Sequence, residues 1–474
     1  MKKCTRKHPL YLTIGLVLLV ALTFMITGCN NEEGPSITEG AIIVPDTYST
    51  IQEAIIAAED GDIIIVRPGT YRENIIFIGK DITISSTDPD DPEIVAQTVI
   101  DAGGNDTAVT FAGGESEAAV LTGFTIIGGS GFTLPLEFEI EGETREITSK
   151  YGGGILIVES SPTITKNVIE NNVAERGAGM MIYKGAPVVT ANMIRDNRSV
   201  GGGGGMFIAY SSAAVLDNEI TLNSASRSGG GLAISGSGAT PPVVENNIIS
   251  DNRADSGGAI FNIEADSEIK NNTMNNNAVN DRGGGIYIAL SSPLVSGNNI
   301  SDNVSGYMGT GGGIAIYSES NPSIEDNIII GNQSGAGGGI SVYTDSNPVL
   351  INNTISDNKA SNGGAIVVNE NSSPEIMENN ITGNFVERNG AGIFVRDSAL
   401  TILGNTLRDN EARLNGGAIY LDEGASASVG TNIFEANKSN SGSALYVAAG
   451  AALQLSSPDD NEYSGNVPDD IFEE

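Results

Sequence analysis

Glu370, Asp397 and Glu423 follow one another at steps of 27 and 26 residues, and Asn369, Arg396 and Asp422 occupy the positions just before them. Stacked in columns, such carboxylates repel one another unless a cation or the Arg396 guanidinium compensates. This is the cluster whose residue types could hold a metal or move a proton. The same six side chains also suit a solvated, self-neutralising surface. Histidine chemistry is excluded: the sole histidine, His8, lies in an N-terminal segment expected to be removed, and there is no tryptophan. Without an imidazole there is no Ser-His-Asp triad, no histidine-bearing zinc site and no histidine base.

Columns require a repeat, and the sequence has one. A glycine cluster closing on an apolar residue recurs at Ile155, Met180, Met206, Leu232, Ile260, Ile286, Ile314, Ile340, Ile366, Ile393, Ile419 and Leu445, in steps of 25 to 28 residues. Between consecutive anchors lies one frame, N-x-(I/L/M/F)-x-x-N, as in Asn353-Thr354-Ile355-Ser356-Asp357-Asn358. A fixed period of this length marks a solenoid, whose turns bury their apolar faces against their neighbours. About 26 residues accommodate three short strands with corners, stacked in parallel at roughly 4.8 Å, which predicts about 16 coils. Asn at i and the apolar residue at i+2 share one strand face. That face is placed inside, with the asparagine amides stacked as hydrogen-bonded ladders. The glycines supply a corner with positive φ and close approach between coils. Pro162, Pro187, Pro293, Pro322, Pro348 and Pro374 punctuate another corner.

Two departures from uniformity concern the surface. The fifth frame position is Asp196, Asp251, Asp302, Asp357 and Asp409 in every second coil. Spacing like charges on a solvated corner accounts for this, and a row of calcium-bridged carboxylates is the competing reading. The positions one and three after each anchor are expected to point outward. They hold Tyr183, Phe207, Phe261, Tyr287, Tyr317, Tyr343, Phe394, Tyr420 and Tyr446, nine of the chain's 25 aromatic residues. Such a row suits the C–H faces of sugars or a protein partner. β-Propensity and stacking between coils are the competing explanation.

The start of the chain reads as an export signal. Lys2, Lys3, Arg6 and Lys7 precede an apolar run over residues 10–26. The following Ile26-Thr27-Gly28-Cys29 resembles a bacterial lipobox, in which the cysteine is diacylated and becomes the first mature residue. The expectation is a signal over 1–28, a polar tether over 29–40 and one domain over 41–470. Irregular opening coils occupy 41–150 and regular repeats 151–450. An ordinary signal peptide or an N-terminal membrane anchor is the alternative. The product would be an envelope protein tethered through Cys29, facing the periplasm or the cell surface. Beyond the signal, 20 basic side chains stand against 59 acidic ones, a formal charge of −39. Such a surface repels phosphate backbones, so nucleic acid is not an expected partner, whereas Ca²⁺ would be attracted. Residues 49–58 carry a capping pattern and apolar spacing of three and four, predicting a short helix that closes the open first coil. Phe132 to Ser149, an acidic break in the period, is expected to be a long projecting loop.

The segment Ile43–Ile84 resembles the opening of right-handed parallel β-helix proteins of the pectin-lyase-like superfamily. Gly257-Gly258-Ala259-Ile260, Gly364-Ala365-Ile366, Gly417-Ala418-Ile419 and Phe434-Glu435-Ala436-Asn437 are similar to the GGAI and FxxN units of polymorphic outer-membrane adhesins. The resemblance implies an all-β, single-stranded, right-handed parallel β-helix with a short N-terminal capping helix. It specifies fold more than activity. In the polysaccharide lyases of this superfamily the substrate groove lies on the strand face that would bear the aromatic row. Those enzymes combine acid-held Ca²⁺ with a basic residue that abstracts the proton α to a carboxylate. Carried over, Arg396 would be that base, with Glu370, Asp397, Asp422 and Glu423 as metal ligands. Two functions follow. One is a lipid-anchored, monomeric, non-enzymatic rod binding a glycan or protein through Phe207, Phe261, Tyr287, Tyr317, Tyr343, Phe394 and Tyr420, with no required cofactor. The other is a Ca²⁺-dependent polysaccharide lyase.

Overall fold

The structure, a computed structural model, describes residues 40–140, 143–456 and 460–474. The export signal, Cys29 and the tether up to residue 39 lie outside the described residues. Three long parallel sheets of 16, 15 and 15 strands run the length of the coil stack. A typical coil places one strand in each: Ile155–Val158, Thr163–Thr165 and Val168–Glu170, each paired with its counterpart one coil away. We call these the anchor, proline and asparagine sheets. The expected count of about 16 coils holds.

Each anchor strand alternates as its pleat requires: Ile286 and Ile288 are fully buried on the inside, and one core cluster runs from Val44 to Val447. Parallel strands buried in this way need every polar backbone group paired. The corners meet that need. Gly283 adopts φ +65°, a conformation costly for side chains, and a Cβ at Gly285 would stand 2.6 Å from the Gly313 carbonyl oxygen of the next coil. At the opposite corner the prolines lack an N–H, yet their carbonyls still accept, as Pro293 does from Ser323 at 3.2 Å.

The asparagines form hydrogen-bonded ladders as expected, two of them. In the first, twelve residues from Asn167 to Asn461 each pass an amide hydrogen bond to the next, at 2.9–3.2 Å. The second frame asparagine does the same from Asn172 to Asn466, at 3.0–3.1 Å. They flank the three-residue asparagine-sheet strand, whose central apolar residue lies inside with them as predicted, for example Asn167 at 1% exposure and Ile169 at 0%.

The first coil is closed by helix α1, Ile51–Ala57, which buries Ile51, Ala54 and Ile55. The Thr50 hydroxyl caps its start by accepting from the Glu53 N–H, and the Glu73 carboxylate accepts from Ile51 and Gln52. Lys80 donates to the carbonyls of Ile55, Ile56 and Ala58 at its other end. A second helix, α2 over Pro92–Gln97, was not anticipated; the Thr125 hydroxyl donates to its Val95 carbonyl. Among the described residues no helix is long and apolar enough to cross a membrane.

The projecting loop expected at 132–149 is instead an antiparallel hairpin, Phe132–Ile140 with Glu143–Tyr151. Its signal was present: Phe132, Leu134, Leu136 and Phe138 alternate with polar or small residues, which gives a strand one apolar face to bury. Leu136 and Phe138 pack with Tyr151, Leu156, Tyr183 and Phe207 over the outer side of the anchor sheet.

Candidate functional site

The outer side of the anchor sheet carries the aromatic row, as the pleat predicts, but the rings are not an open platform. Tyr183, Phe207, Tyr287, Tyr317, Phe394, Tyr420 and Tyr446 are 4–9% exposed. Phe261 and Tyr343 are half-buried. The cause is stacking along the coil axis. Phe261–Tyr287 and Tyr317–Tyr343 centroids lie 4.9 and 5.0 Å apart with planes within 13°, and Tyr287–Tyr317 lie 5.9 Å apart. A second stack joins Phe394, Tyr420, Tyr446 and Phe472 at 4.9–5.4 Å. Ring faces are therefore occupied by neighbouring rings, and only a narrow margin of the stack is left exposed. Sugar stacking on ring faces, the contact expected from sequence, is not available there.

The two stacks differ from the N-terminal end of the row. Tyr183 and Phe207 lie under the hairpin, where the Tyr183 hydroxyl donates to the Glu137 carbonyl at 2.8 Å and Arg176 sits 5.6 Å from the Phe207 ring. Farther along, Arg282 lies 4.4 Å from the Tyr317 ring, and the Tyr317 and Thr310 hydroxyls are bonded at 2.8 Å. Burial pushes the hydroxyl pKa of Tyr287, Tyr317 and Tyr343 upward, so all three stay neutral donors at physiological pH.

The charged columns exist as predicted. Val368, Val395 and Leu421 are in register, which places Asn369, Arg396 and Asp422 in one column and Glu370, Asp397 and Glu423 in the next. Of the six side chains, Arg396, Asp422 and Glu370 have close polar partners. Arg396 Nε lies 2.7 Å from Asp422 Oδ2, and the guanidinium rests 5.7 Å from the Phe394 ring. A guanidinium has no acceptor, and this one is already engaged by a carboxylate, so it is poorly placed to take a proton from a substrate. Glu370 accepts the Thr344 hydroxyl at 2.6 Å, and both Glu370 and Asp397 turn through positive φ at the strand end. Among the described residues no group of three or more acidic, histidine or cysteine side chains is gathered closely enough to hold a metal ion, at Glu370, Asp397, Asp422 and Glu423 or elsewhere.

The alternating aspartates occupy a left-handed corner. Asp196, Asp251, Asp302, Asp357 and Asp409 all have φ of +53° to +58°, and so do Asn171 and Asn276 in the intervening coils at +55°. Asp, Asn and Gly are the residues that tolerate this conformation.

Sequence reasoning missed a fourth strip. After the second ladder asparagine the chain makes short strands, Arg198–Ser199, Ser224–Ala225, Arg253–Ser256 and Ala278–Arg282 among them, which pair in parallel. Most are too short to display periodicity. They resume at Lys359–Ala360, Phe385–Val386 and Glu411–Ala412. Two open grooves lie on this strip, of about 370 Å³ beside Ser224, Arg253 and Asn280, and about 210 Å³ beside Tyr307, Lys359 and Phe385.

No curated protein matches the sequence. Among solved structures, one described as the complex of XylC with xylose is similar at 10% identity, covering 88% of this chain and 83% of that one, with a TM-score of 0.38. The family described as right handed beta helix region matches residues 116–241, 189–337 and 334–466. With those matches running through most of the coil stack, the chain belongs to the right-handed β-helix family.

Proposed function

We propose that this chain is an exported β-helix rod, tethered to a membrane through a lipidated Cys29, that binds a glycan or another protein along its side without chemical turnover. The observation supporting this is the preorganised edge of the aromatic rows. Tyr287, Tyr317 and Tyr343 are held by stacking at fixed spacing, so a ligand meeting the exposed margin of the stack orders no side chain on binding. Arg396, the residue a lyase reading needs as base, is already engaged by Asp422.

The test uses a glycan array and a pull-down from envelope extract with the mature protein. Replacing Tyr287, Tyr317 and Tyr343 together with Phe keeps the stack and removes the hydroxyls. It should weaken binding by at least about tenfold, roughly 1.4 kcal/mol, with thermal stability preserved. Unchanged binding sinks the aromatic-edge reading. Incubation with uronate polymers and Ca²⁺ supplies the opposing arm. Absorbance of unsaturated uronyl ends that disappears in Arg396→Ala would overturn the non-enzymatic reading.

A further inference from the structure

Elsewhere on this acidic rod, basic side chains are largely neutralised by neighbours: Arg67 by Asp46, Lys166 by Asp90, Arg195 by Glu170, Arg396 by Asp422. The fourth strip breaks that rule. Exposed Arg198, Arg227 and Arg253 make no ion pair among the described residues, and neither does Lys359 farther along. Arg198 pairs in register with Ser224, and Ser224 with Arg253, so the two guanidiniums share a column two coils apart, about 9.6 Å. Arg227 belongs to the coil between them. The adjoining groove offers Ser224, Ser226 and Asn280, and its one carboxylate, Asp255, is engaged by Asn280 Nδ2 at 2.7 Å. Six coil rises from Arg198, roughly 29 Å, the same column reaches Lys359. There the second groove is flanked by Phe385 and by Tyr307, whose ring is 85% exposed, unlike those on the anchor sheet.

We propose that the fourth strip binds a linear anionic glycan carrying one carboxylate or sulfate per disaccharide. Guanidinium forks match such oxyanions in a bidentate manner. One coil rise is close to the length of one pyranose in an extended chain, so arginines two coils apart meet an anion on every second sugar. Tyr307 and Phe385 offer apolar surface to the neutral sugars between. The rod's overall charge does not forbid this. At physiological ionic strength a charge is felt over about 8 Å, less than two coil rises, so the ligand meets the local cations first. A nucleic acid, with a charge every 1.7 Å or so of duplex axis, would meet the surrounding acidic faces as well. This strip is distinct from the aromatic rows and stands or falls separately from them.

The experiment is titration calorimetry on the full mature chain with hyaluronate (one carboxylate per disaccharide), κ-carrageenan (one sulfate and no carboxylate), polygalacturonate and neutral dextran, alongside light scattering. The variant is Arg198→Gln/Arg227→Gln/Arg253→Gln, three exposed positions, with circular dichroism to confirm the fold. Hyaluronate, κ-carrageenan or both should bind, and which of them does separates carboxylate from sulfate recognition. Affinity should fall with salt, and the triple variant should lose at least roughly tenfold with a shallower salt slope. Replacing Tyr287, Tyr317 and Tyr343 with Phe should leave this binding intact. Equal affinity for dextran, polygalacturonate binding as tightly as hyaluronate, or an unaffected triple variant overturns the proposal. So does wild-type self-association that the triple variant abolishes, which would assign the strip to the acidic face of a second copy.

Discussion

Asn327→Ala should be among the most damaging polar substitutions in this chain. The Asn327 side chain is 1% exposed, and its Oδ1 accepts from both the Asn298 backbone N–H at 2.9 Å and the Asn298 amide at 3.0 Å. Its own amide donates to the Val295 carbonyl at 2.9 Å and to Asn353 Oδ1 at 3.0 Å. Alanine strands the Asn298 backbone N–H in the interior, while the Asn298 amide keeps the Ile269 and Ser296 carbonyls as acceptors. At about 1–3 kcal/mol for an unsatisfied buried group, the loss comes to roughly 1–3 kcal/mol. Asn327→Asp separates shape from hydrogen bonding. It keeps both acceptors for Asn298 but turns a buried carboxylate toward the Val295 carbonyl and Asn353 Oδ1. Burial raises the folded-state pKa of that acid, so its stability deficit should be small below the ordinary carboxylate range and grow as pH rises through it. The assay is urea unfolding followed by far-ultraviolet circular dichroism at pH 4 and pH 7. Hydrogen exchange over residues 295–358 is added because a solenoid's stability is a sum over neighbouring coils. A cost below about 1 kcal/mol for the alanine variant, or no pH dependence for the aspartate one, would refute the ladder argument.

Two other perturbations test the corner and the hairpin. Gly285→Ala places a Cβ 2.6 Å from the Gly313 carbonyl oxygen, so the backbone of one coil must shift; a loss of roughly 1–3 kcal/mol is expected in the same urea experiment, and none would mean the coils slide freely. Burial pushes the Tyr151 phenol up to about 12, against about 10 in the unfolded chain. The folded state therefore holds its proton where the unfolded state releases one. The resulting stability is complete below pH 10 and is lost as pH rises toward 12, a window that ultraviolet titration of the wild type minus Tyr151→Phe should show.

The interior was legible because every coil solves one packing problem with the same residue types. Gly283 needs its left-handed φ for the same reason as its counterparts one coil either way, and Asn327 accepts from Asn298 as Asn353 accepts from Asn327. The surface was legible only by side. Period-two alternation placed Tyr287 and Tyr317 outside the core, but it carries no information about what lies beyond the sheet. There, Tyr183 and Phe207 met the hairpin and Tyr317 met Arg282 and Thr310. Likewise the columns at Arg396 were right in register, yet whether acids converge on a cation or pair with arginine depends on side-chain direction, which spacing does not encode. The Arg198–Arg253 column escaped notice because two-residue strands have no period.

The aspartate alternation shows how a backbone requirement can look like a charge code. The position must take φ near +55°, which admits Asp, Asn and Gly most readily. A second constraint acts between coils. A Cβ at Gly331 would stand 2.6 Å from Asp302 Oδ1, and one at Gly383 would stand 2.8 Å from Asp357 Oδ1. In these pairs the carboxylate leans over the corner of the next coil and leaves room there for glycine, so a large residue is followed by the smallest. Leu222 and Ala436 fill the same corner elsewhere, after Asp196 and Asp409, so the rule is local and not general. Conformation selects the residue class, and packing between adjacent coils then orders it along the rod. Neither step requires a metal. The free guanidiniums of the fourth strip differ in kind. No left-handed corner selects arginine at 198 or 253, since neither residue has a positive φ, and no described residue forms an ion pair with them.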